Sequence, residues 1–572
     1  MNASYAAILS TVLIITVLFA LMIVSRSRTQ KRAFEEELKN SWGKLKPRLF
    51  SAEEIKRIRR FADSSYAEEL GKDAFLIDDI TANDVDLDAV FARLDAAVSS
   101  PGEEILYDWL LRPELKEDAL SERIALQDFF TAHEKERHDI LRVLHGIGRL
   151  KGDSFFGAVT SLREAARIGS GRYILLAAGT FLSFVFLFIF PIPALISLLL
   201  FLAADFKVHI DAREATGPCL RGFSAILRLL DAADDLEKIL PDGMPGADKA
   251  ALRGILRTFA PFRRGAFLVM SGASVGDSPA EAVLAYLKLF FHPDLILFDR
   301  MLSKVQGHEA EAVSLLISLG TLDAAAATAS ARLAYTVTAR PALSSPGEGT
   351  SPVPVRIKAM THPLLNEAVP NSVALHGPLL LTGSNASGKS TFLKGLALTA
   401  ILAQSCGFVT AASYSAPFLR IMSSMALKDN LEGGESYFVV EIRSMKRIVD
   451  AAGVTDPPLL CLVDEVLRGT NTTERIAASA SILRALARPH VFAVAATHDI
   501  ELTYLLDGTY RNMHFEESAD DEDVHFTYLL KEGRAASGNA LTLLERNGYP
   551  EDITRAARRM KDGFLETGEW ER

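Results

Sequence analysis

Cysteine is scarce in this chain of 572 residues, which contains only three. Cys219, Cys406 and Cys461 lie far apart, without a Cys-x-x-Cys spacing and without neighbouring histidines. This pattern excludes a disulfide framework and gives no indication of a zinc site. We therefore expect the protein to work in a reducing compartment.

An excess of positive charge is also lacking. The chain has 62 lysines and arginines against 72 aspartates and glutamates, which gives a net charge of -10. A generally basic, nucleic-acid-binding surface is excluded by this balance, so any contact with DNA must be local. Apolar residues make up 49% of the chain and charged residues 23%, which is typical of a globular protein with a few membrane segments.

The first of two uncharged apolar runs extends from Tyr5 to Val24 and is followed at once by basic residues, beginning with Arg26. Its length is that of a helix that crosses a bilayer. No basic stretch precedes the run and no small-residue cleavage site follows it, which argues against a cleaved signal peptide. We predict a transmembrane anchor over residues 1–25, with the next segment in the cytoplasm.

The second run, Tyr173 to Ala204, is interrupted by Pro191 and Pro193, which favour a turn between two helices. Each arm is short for a full crossing, so the pattern permits a kinked single span or a re-entrant hairpin. A buried pair of core helices is the alternative outside a membrane. Basic residues flank both ends, as expected if both ends are cytoplasmic; they are Arg163, Arg167, Arg172, Lys207 and Arg213. We predict a transmembrane hairpin over residues 173–204.

A phosphate-binding loop stands between a predicted strand, residues 378–382, and a predicted helix, residues 391–404. The loop matches GxxxxGK[ST] and extends into the helix at Thr391; it consists of Gly383, Ser384, Asn385, Ala386, Ser387, Gly388, Lys389 and Ser390. Glycines let backbone amides close around phosphates, Lys389 offers a charge to the outer phosphates, and Ser390 offers a hydroxyl to Mg²⁺. The sequence predicts an ATP site over residues 383–391.

Two further predicted strands end in polar residues. An apolar strand from Pro458 ends in Asp464 and Glu465, and the strand Val491 to Ala496 runs into His498. We predict that Asp464 holds Mg²⁺ through water and that Glu465 orients or deprotonates the attacking water. His498 is expected beside the γ-phosphate, as a phosphate sensor. Together these residues predict an ATP hydrolase.

The order of these motifs resembles the MutS family of mismatch-repair ATPases. That family has an asparagine where Asn385 stands, and its SxFxxE segment matches Ser436, Phe438 and Glu441. A DExxRGT stretch matches Asp464 to Thr470. The resemblance implies an α/β ABC-type P-loop ATPase domain preceded by an α-helical core and lever region, into which the predicted transmembrane helices are inserted.

The resemblance also implies roles that the spacing alone does not. Ser436 would cross a dimer interface to contact the γ-phosphate of the partner subunit's ATP, and Asn385 would join the catalytic residues. The segment 531–572 resembles the family's terminal helix-turn-helix, which mediates dimer contacts. We therefore expect a homodimer that uses ATP and Mg²⁺.

The predicted domain order follows from these segments. It is a transmembrane anchor (1–25), a helical core (26–172), a transmembrane hairpin (173–204), a second helical core and lever segment (205–340), a linker (341–355), the ATPase domain (356–530) and the dimerisation segment (531–572). We expect the family's mismatch-reading domain to be missing, because the segment before the predicted core is too short for it. The loop from Asn471 to Glu474 also departs from the aspartate and glycine that usually follow the family's threonine.

Two functions remain open at this point. The first is a dimeric, ATP-dependent clamp associated with DNA, anchored in the cytoplasmic membrane as a multi-pass protein with its ATPase facing the cytoplasm. The second is an ATP-driven conformational switch that acts on the lipid bilayer or on an unknown protein partner, without mismatch recognition. An ABC-type transporter is disfavoured because the LSGGQ-type signature is missing.

Overall fold

The computed structural model describes most of the chain. The described residues are 33–45, 47–66, 75–150, 152–263, 287–345, 353–384, 387–425, 437–467, 470–519, 524–535, 540–546 and 548–567. The predicted anchor, residues 1–25, lies outside them. Within the described residues the chain divides into two units, of which the first lies within residues 1–61, 95–106 and 126–334 and the second within residues 62–94, 107–125 and 335–572.

The helices are numbered in chain order. They are α1 (Ala52–Arg59), α2 (Asp79–Asp84), α3 (Leu87–Leu94), α4 (Ser100–Leu111), α5 (Glu117–Ala132), α6 (Glu134–Ile147), α7 (Phe155–Thr160), α8 (Ser170–Phe186), α9 (Pro191–Ile239), α10 (Lys249–Thr258), α11 (Pro293–Val305), α12 (Glu309–Ala334), α13 (Lys389–Ser405), α14 (Tyr437–Ala451), α15 (Thr472–Leu486), α16 (Ile500–Leu505), α17 (Ala540–Arg546) and α18 (Glu551–Thr567).

The strands follow the same convention. They are β1 (Ala342–Ser344), β2 (Val355–Met360), β3 (Asn371–Leu375), β4 (Leu379–Thr382), β5 (Ser413–Pro417), β6 (Arg420–Ser424), β7 (Leu459–Asp464), β8 (Val491–Ala496), β9 (Arg511–Ala519) and β10 (Val524–Glu532). All of them lie in the second unit.

The first unit is helical, as the sequence predicts, and the two apolar arms form helices α8 and α9. The turn between them falls at residues 187–190, directly before Pro191, because proline fits the first turn of a helix, where its missing N–H is not needed. Helix α9 does not end with the apolar run at residue 204 but continues to Ile239. The base of α8 is capped from α11, where the Asp299 carboxylate accepts the backbone N–H groups of Ile168, Gly169 and Ser170 at 2.8–2.9 Å.

Two of the described helices are long and apolar enough to cross a membrane, namely Pro191–Ala212 within α9 and the whole of α12. Only 11% of the apolar window in α9 is buried inside the protein, against 78% in α12, so α12 is a core helix. Helix α8 is apolar but shorter. Length and composition alone are weak support for membrane insertion, and the described residues do not by themselves support a multi-pass arrangement.

The second unit contains two sheets. The smaller has the order β1-β5-β2-β3, and the larger has the order β10-β9-β4-β8-β7-β6. In the larger sheet β9, β4, β8, β7 and β6 run parallel, and β10 pairs with β9 as an antiparallel hairpin. Strands β4, β7 and β8 are buried at every residue, as expected for central strands of a parallel sheet covered on both faces.

A helix distant in sequence completes the edge of this sheet. The Asp84 carboxylate, at the end of α2, accepts a hydrogen bond from the Ser423 hydroxyl at 2.7 Å and another from the Met425 N–H at 2.9 Å. These partners are more than 330 residues apart in the chain. The pairing explains why residues 62–94 belong to the same unit as the sheet.

Asp323 is a buried carboxylate that organises the helical unit. It projects from α12 and accepts the N–H groups of Val98 and Ser99 at 3.0 and 2.9 Å, together with the Ser99 hydroxyl at 2.5 Å. These donors precede the first turn of α4, so Asp323 acts as a helix cap supplied by another helix. Gly102 is required there, because an added Cβ would lie 2.2 Å from the Asp323 carboxylate. Burial raises the pKa of Asp323 to about 6.

We predict that Asp323→Ala destabilises the helical unit by about 3 kcal/mol, because it leaves buried donors without their acceptor. Hydrogen exchange in α4, followed by mass spectrometry, should become roughly 100-fold faster. Asp128→Ala is the matched control: Asp128 is exposed and pairs with Arg332 at the surface, so its loss should change exchange little. Equal exchange in the two variants would contradict the capping role.

Candidate nucleotide site

Three strand ends meet at one edge of the larger sheet. The register pairs Leu381 of β4 with Ala496 of β8, and Ala496 with Asp464 of β7. The ladder continues one residue further, since Thr497 N–H donates to Leu381 at 2.9 Å and Glu465 N–H donates to Ala496 at 2.9 Å. Ligands of parallel α/β sheets bind beyond the carboxyl ends of the strands, which is where these residues lie.

The phosphate loop follows the first of these ends. The predicted strand and helix on its two sides are present as β4 and α13, and Gly388 precedes α13 with a φ of 101°. Gly383 has a φ of 140°, a value that favours glycine. The Lys389 ammonium is buried and donates to the carbonyls of Gly383 and Ser384, both at 2.7 Å. A cation held inside the loop, at a helix amino terminus, is the arrangement that binds phosphate.

Ser387 forms two hydrogen bonds within the phosphate loop. Its hydroxyl donates to the Ser384 carbonyl at 2.8 Å, and its N–H donates to the same oxygen at 3.2 Å. Asn385 and Ala386, which the sequence also assigns to this site, lie outside the described residues. Thr391 is exposed in the first turn of α13.

The two residues predicted to hold Mg²⁺ are in direct contact. The Ser390 hydroxyl, at the start of α13, donates to the Asp464 carboxylate at the end of β7. Mg²⁺ prefers hard oxygen ligands and takes few of them from the protein. A hydroxyl and a carboxylate that converge beside the phosphate loop fit this ion.

Glu465 and His498 form a second pair beside the first. The Glu465 carboxylate lies 3.0 Å from His498 Nδ1, and this hydrogen bond raises the pKa of His498 above its ordinary value of 6.5, although partial burial opposes the shift. Glu465 has a φ of 56°, in the left-handed region that a residue with a side chain rarely adopts. The strained backbone turns this carboxylate away from the line of β7.

Asp499 holds the loop that carries His498. Its carboxylate accepts a bidentate pair from Arg475 of α15, at 3.1 Å from Nε and 2.7 Å from Nη2. Helix α15 is itself capped by Asn471, which accepts the Glu474 N–H at 3.0 Å. The residues at which this loop departs from the MutS pattern therefore form a normal helix start.

A cavity of about 410 Å³ adjoins the phosphate loop. One wall is the first turn of α13, including Lys389, Ser390 and Phe392. The remaining lining is mostly apolar and aromatic with a few polar groups, and consists of Met360, His362, Leu365, Glu367, Ala368, Val369, Asn371, Gly395, Phe515 and Tyr528, with Gly388 and Thr391 from the loop side. Such a lining is typical of a site for a flat, partly apolar ligand.

Tyr528 reaches this cavity from an irregular strand. The register of β10 against β9 shifts between Phe526 and Leu530, and Tyr528 has a φ of 55°. Asn371 fixes the irregularity, because its side chain donates to the Tyr528 carbonyl at 2.9 Å and accepts the Leu530 N–H at 2.8 Å. The Tyr528 ring then lies so close to Gly388 that a Cβ there would meet it at 3.2 Å. The bulge therefore places the Tyr528 ring next to the phosphate loop.

His362 lines the cavity as a neutral imidazole. Burial lowers its pKa to about 4, and the nearby Lys394 ammonium acts in the same direction. Its Nδ1 accepts the Leu364 N–H at 3.2 Å, which places the ring proton on Nε2. The cavity thus offers a neutral hydrogen-bond donor beside the charged loop.

The structure places Gly383, Lys389, Ser390 and Asp464 together at this edge of the sheet. Ser436 lies outside the described residues. The aromatic lining from Phe515 and Tyr528 was not predicted, and neither was the pairing of Glu465 with His498. Nothing in the local pattern marks Tyr528, because its position depends on a bulge and on Asn371, 157 residues away.

Comparisons with known proteins agree with these motifs. Residues 379–564 match the family model for MutS domain V. The chain is 33% identical over 209 residues to the DNA mismatch repair protein MutS of Thermus thermophilus, which covers 36% of this chain and 25% of the relative. It is 35% identical over 184 residues to the DNA mismatch repair protein MutS 2 of Haloarcula marismortui, and this match covers 31% of this chain and 19% of the relative. It is 33% identical over 216 residues to the DNA mismatch repair protein MutS of Shouchella clausii, and this match covers 36% of this chain and 24% of the relative. The chain spans about a quarter or less of the length of these relatives.

We predict that the pKa of His498 lies above 6.5 and falls towards that value in Glu465→Gln, because the variant removes the carboxylate. The charged pair is intact below pH 6.5 and is lost as the pH rises through the raised pKa. Histidine ring signals followed by NMR, with the His498 signal assigned from His498→Ala, measure this. Glu501→Gln, at an exposed position on α16, is the control. An unchanged His498 pKa in Glu465→Gln would contradict the pairing.

Proposed function

Because residues 379–564 belong to the MutS family, we propose that this chain is a membrane-attached ATP hydrolase whose ATP cycle closes and opens a homodimer. The observation that carries the proposal is the meeting of the phosphate loop, the Ser390–Asp464 pair and the Glu465–His498 pair at one sheet edge. Phosphoryl transfer to water needs these elements: a cationic cradle, a metal-binding pair and a carboxylate that positions water.

In this proposal the phosphates of ATP bind at the loop from Gly383 to Thr391, and the nucleobase occupies the neighbouring cavity. The Lys389 ammonium, which donates to two loop carbonyls at 2.7 Å, exchanges these acceptors for phosphate oxygens. Phe515 and Tyr528 supply aromatic surface for the base. The neutral His362 adds a hydrogen-bond donor.

Ser390 and Asp464 would hold Mg²⁺, which neutralises the charge that develops on the phosphates when it is bound. The Glu465 carboxylate accepts a proton from the attacking water or orients it, and the protonated form of His498 positions that carboxylate. His498 is then both a partner of Glu465 and, as the sequence predicts, a sensor of the γ-phosphate.

The dimer is part of the same proposal. Ser436 would reach the ATP of the partner subunit, with Asn385 acting within its own loop, and the terminal segment 531–572 would hold the two chains together. Within that segment, the described residues are 531–535, 540–546 and 548–567, which include the end of β10 and helices α17 and α18. Tyr549, Ile553 and Met560 are exposed there, which is the apolar surface that a dimer contact needs.

Membrane attachment rests on the predicted anchor at residues 1–25 and on the hairpin of α8 and α9. Apolar side chains on this hairpin face solvent, including Phe188 and Ile192 at 80% and 73% exposure. A soluble protein rarely leaves such a surface uncovered. The proposal places the ATPase on the cytoplasmic side of the membrane.

Glu465→Gln should retain ATP binding, reduce turnover by on the order of 100-fold or more, and accumulate the dimer. Lys389→Ala should instead weaken ATP affinity roughly 10- to 100-fold, because one charge-assisted contact is lost. Glu501→Gln and Lys446→Ala, both at exposed positions, are the controls. Measurements are nucleotide affinity, phosphate release and sedimentation. Unchanged turnover in Glu465→Gln would remove Glu465 from its role.

DNA is the first partner that we propose, bound through its backbone or shape and not through a mismatch. The detergent-solubilised protein should bind homoduplex and mismatched DNA with similar affinity, and the affinity should fall as salt rises. Fluorescence anisotropy across a salt series, in the presence of ATP or ADP and without nucleotide, measures this. If no nucleotide state gives salt-sensitive binding, the DNA function is excluded. The exposed hairpin then favours the alternative, a switch acting on membrane or protein partners.

A further inference from the structure

The hairpin of α8 and α9 has a length that does not suit two full crossings of a bilayer. Helix α8 has 17 residues and therefore spans about 25 Å, whereas the hydrocarbon core is about 30 Å thick. The uncharged start of α9 ends before Asp205, about 21 Å from Pro191. The uncharged part of neither arm spans the hydrocarbon core, although the longer stretch Pro191–Ala212, which includes Asp205, Lys207 and Asp211, has the length and mean hydropathy of a membrane span.

The lower part of the hairpin is covered by protein on one face. Asp205 is fully buried; its carboxylate accepts the Thr180 hydroxyl at 2.6 Å and lies 3.0 Å from His292 Nε2. His292 directly precedes α11, and Tyr173 packs with Leu295 of that helix in one buried cluster. One face of the base is thus covered by protein, whereas Ile174, Leu175 and Phe206 on other faces of the base are exposed. The part of the hairpin beyond the covered face, from Thr180 to Phe190, extends about 15 Å, half of the hydrocarbon thickness.

The two arms pack closely and satisfy their own polar groups. The apolar run contains three hydroxyls other than that of Tyr173: Thr180 bonds to Asp205, and Ser183 and Ser197 bond to each other at 2.7 Å. Gly179 allows the contact, because a Cβ there would lie 2.3 Å from the Phe201 ring. A hairpin with its hydroxyls turned inward presents only hydrocarbon to its surroundings.

Most N–H groups of the turn are also paired within the hairpin. The N–H groups of Leu187, Phe188, Ile189, Phe190 and Ala194 all donate to carbonyls one turn earlier. Pro191 and Pro193 have no N–H. Within residues 187–194, only Ile192 contributes a further donor. A turn in hydrocarbon requires its N–H groups to be paired in this way.

We propose that the α8–α9 hairpin is a re-entrant element that enters the bilayer from the cytoplasmic side and ends with residues 187–193 near the bilayer midplane. Its partner is the lipid hydrocarbon. Exposed basic residues lie at its base, where they meet anionic headgroups; they are Arg163, Arg167, Arg172 and Lys207. This inference rests on the membrane attachment proposed above but differs from it in topology.

The test uses the full-length chain in vesicles of phosphatidylcholine and phosphatidylglycerol. Phe188→Cys places a thiol at the tip, and Gly171→Cys places one at the base, where an added Cβ meets nothing within 4 Å. The natural cysteines Cys219, Cys406 and Cys461 are buried, and the unsubstituted chain is labelled in parallel to correct for them. Ile192→Cys is a second tip variant, and unchanged ATP turnover confirms that each variant is folded.

The thiols are labelled with bimane, and its fluorescence is quenched by lipids brominated at different depths. We expect the tip label to lose most fluorescence to bromines near the ends of the acyl chains, and the base label to bromines near the headgroups. In unlabelled protein, a membrane-impermeant maleimide should react with the base cysteine from the ATPase side and with the tip cysteine from neither side.

Three results would overturn the inference, each in a different way. Reaction of the tip cysteine from the side opposite the ATPase means two full crossings, which leaves membrane attachment intact. Reaction from the ATPase side without quenching means that the hairpin lies outside the bilayer. Failure of the chain to float with the vesicles means that the proposed membrane attachment itself is wrong, while the ATPase measurements stand separately.

Discussion

The register of three parallel strands is the constraint on which the rest of the nucleotide site depends. Leu381, Ala496 and Asp464 stand side by side in β4, β8 and β7, so the residues that follow each strand emerge at the same edge. A shift of one residue in any of these strands would turn its side chains to the opposite face. The phosphate loop, Asp464 and His498 are therefore positioned by backbone hydrogen bonds among three strands that are buried at every residue.

Much of this site can be predicted from local sequence patterns. Buried strands that end in Asp464 or His498, and glycines at the spacing of a phosphate loop, carry their meaning within a few residues. The features that the sequence did not reveal depend on distant pairs. Asn371 holds the bulge that presents Tyr528, and Asp84 attaches α2 to β6 across more than 330 residues. Periodicity and spacing cannot report such pairings, because each partner alone is an ordinary polar residue.

The same distinction applies to the helical unit. The proline pair at residues 191 and 193 correctly predicts the turn between α8 and α9, since the effect of proline is local. The sequence does not reveal Asp323 as the cap of α4, nor the Asp205–His292 pair at the base of the hairpin. Both are buried carboxylates whose partners come from other helices. Composition likewise could not separate α12, a buried core helix, from the exposed apolar part of α9.

Helix α9 is continuous for 49 residues, or about 74 Å, from the hairpin turn to the far end at Ile239. Its apolar start and its charged remainder form one rod without an intervening loop. Tilting its Ile239 end by a few degrees would sweep the Pro191 end through several ångströms. In a re-entrant hairpin, the Pro191 end of α9 displaces acyl chains when it moves. The local thickness and stiffness of the bilayer therefore oppose movements of the helical unit.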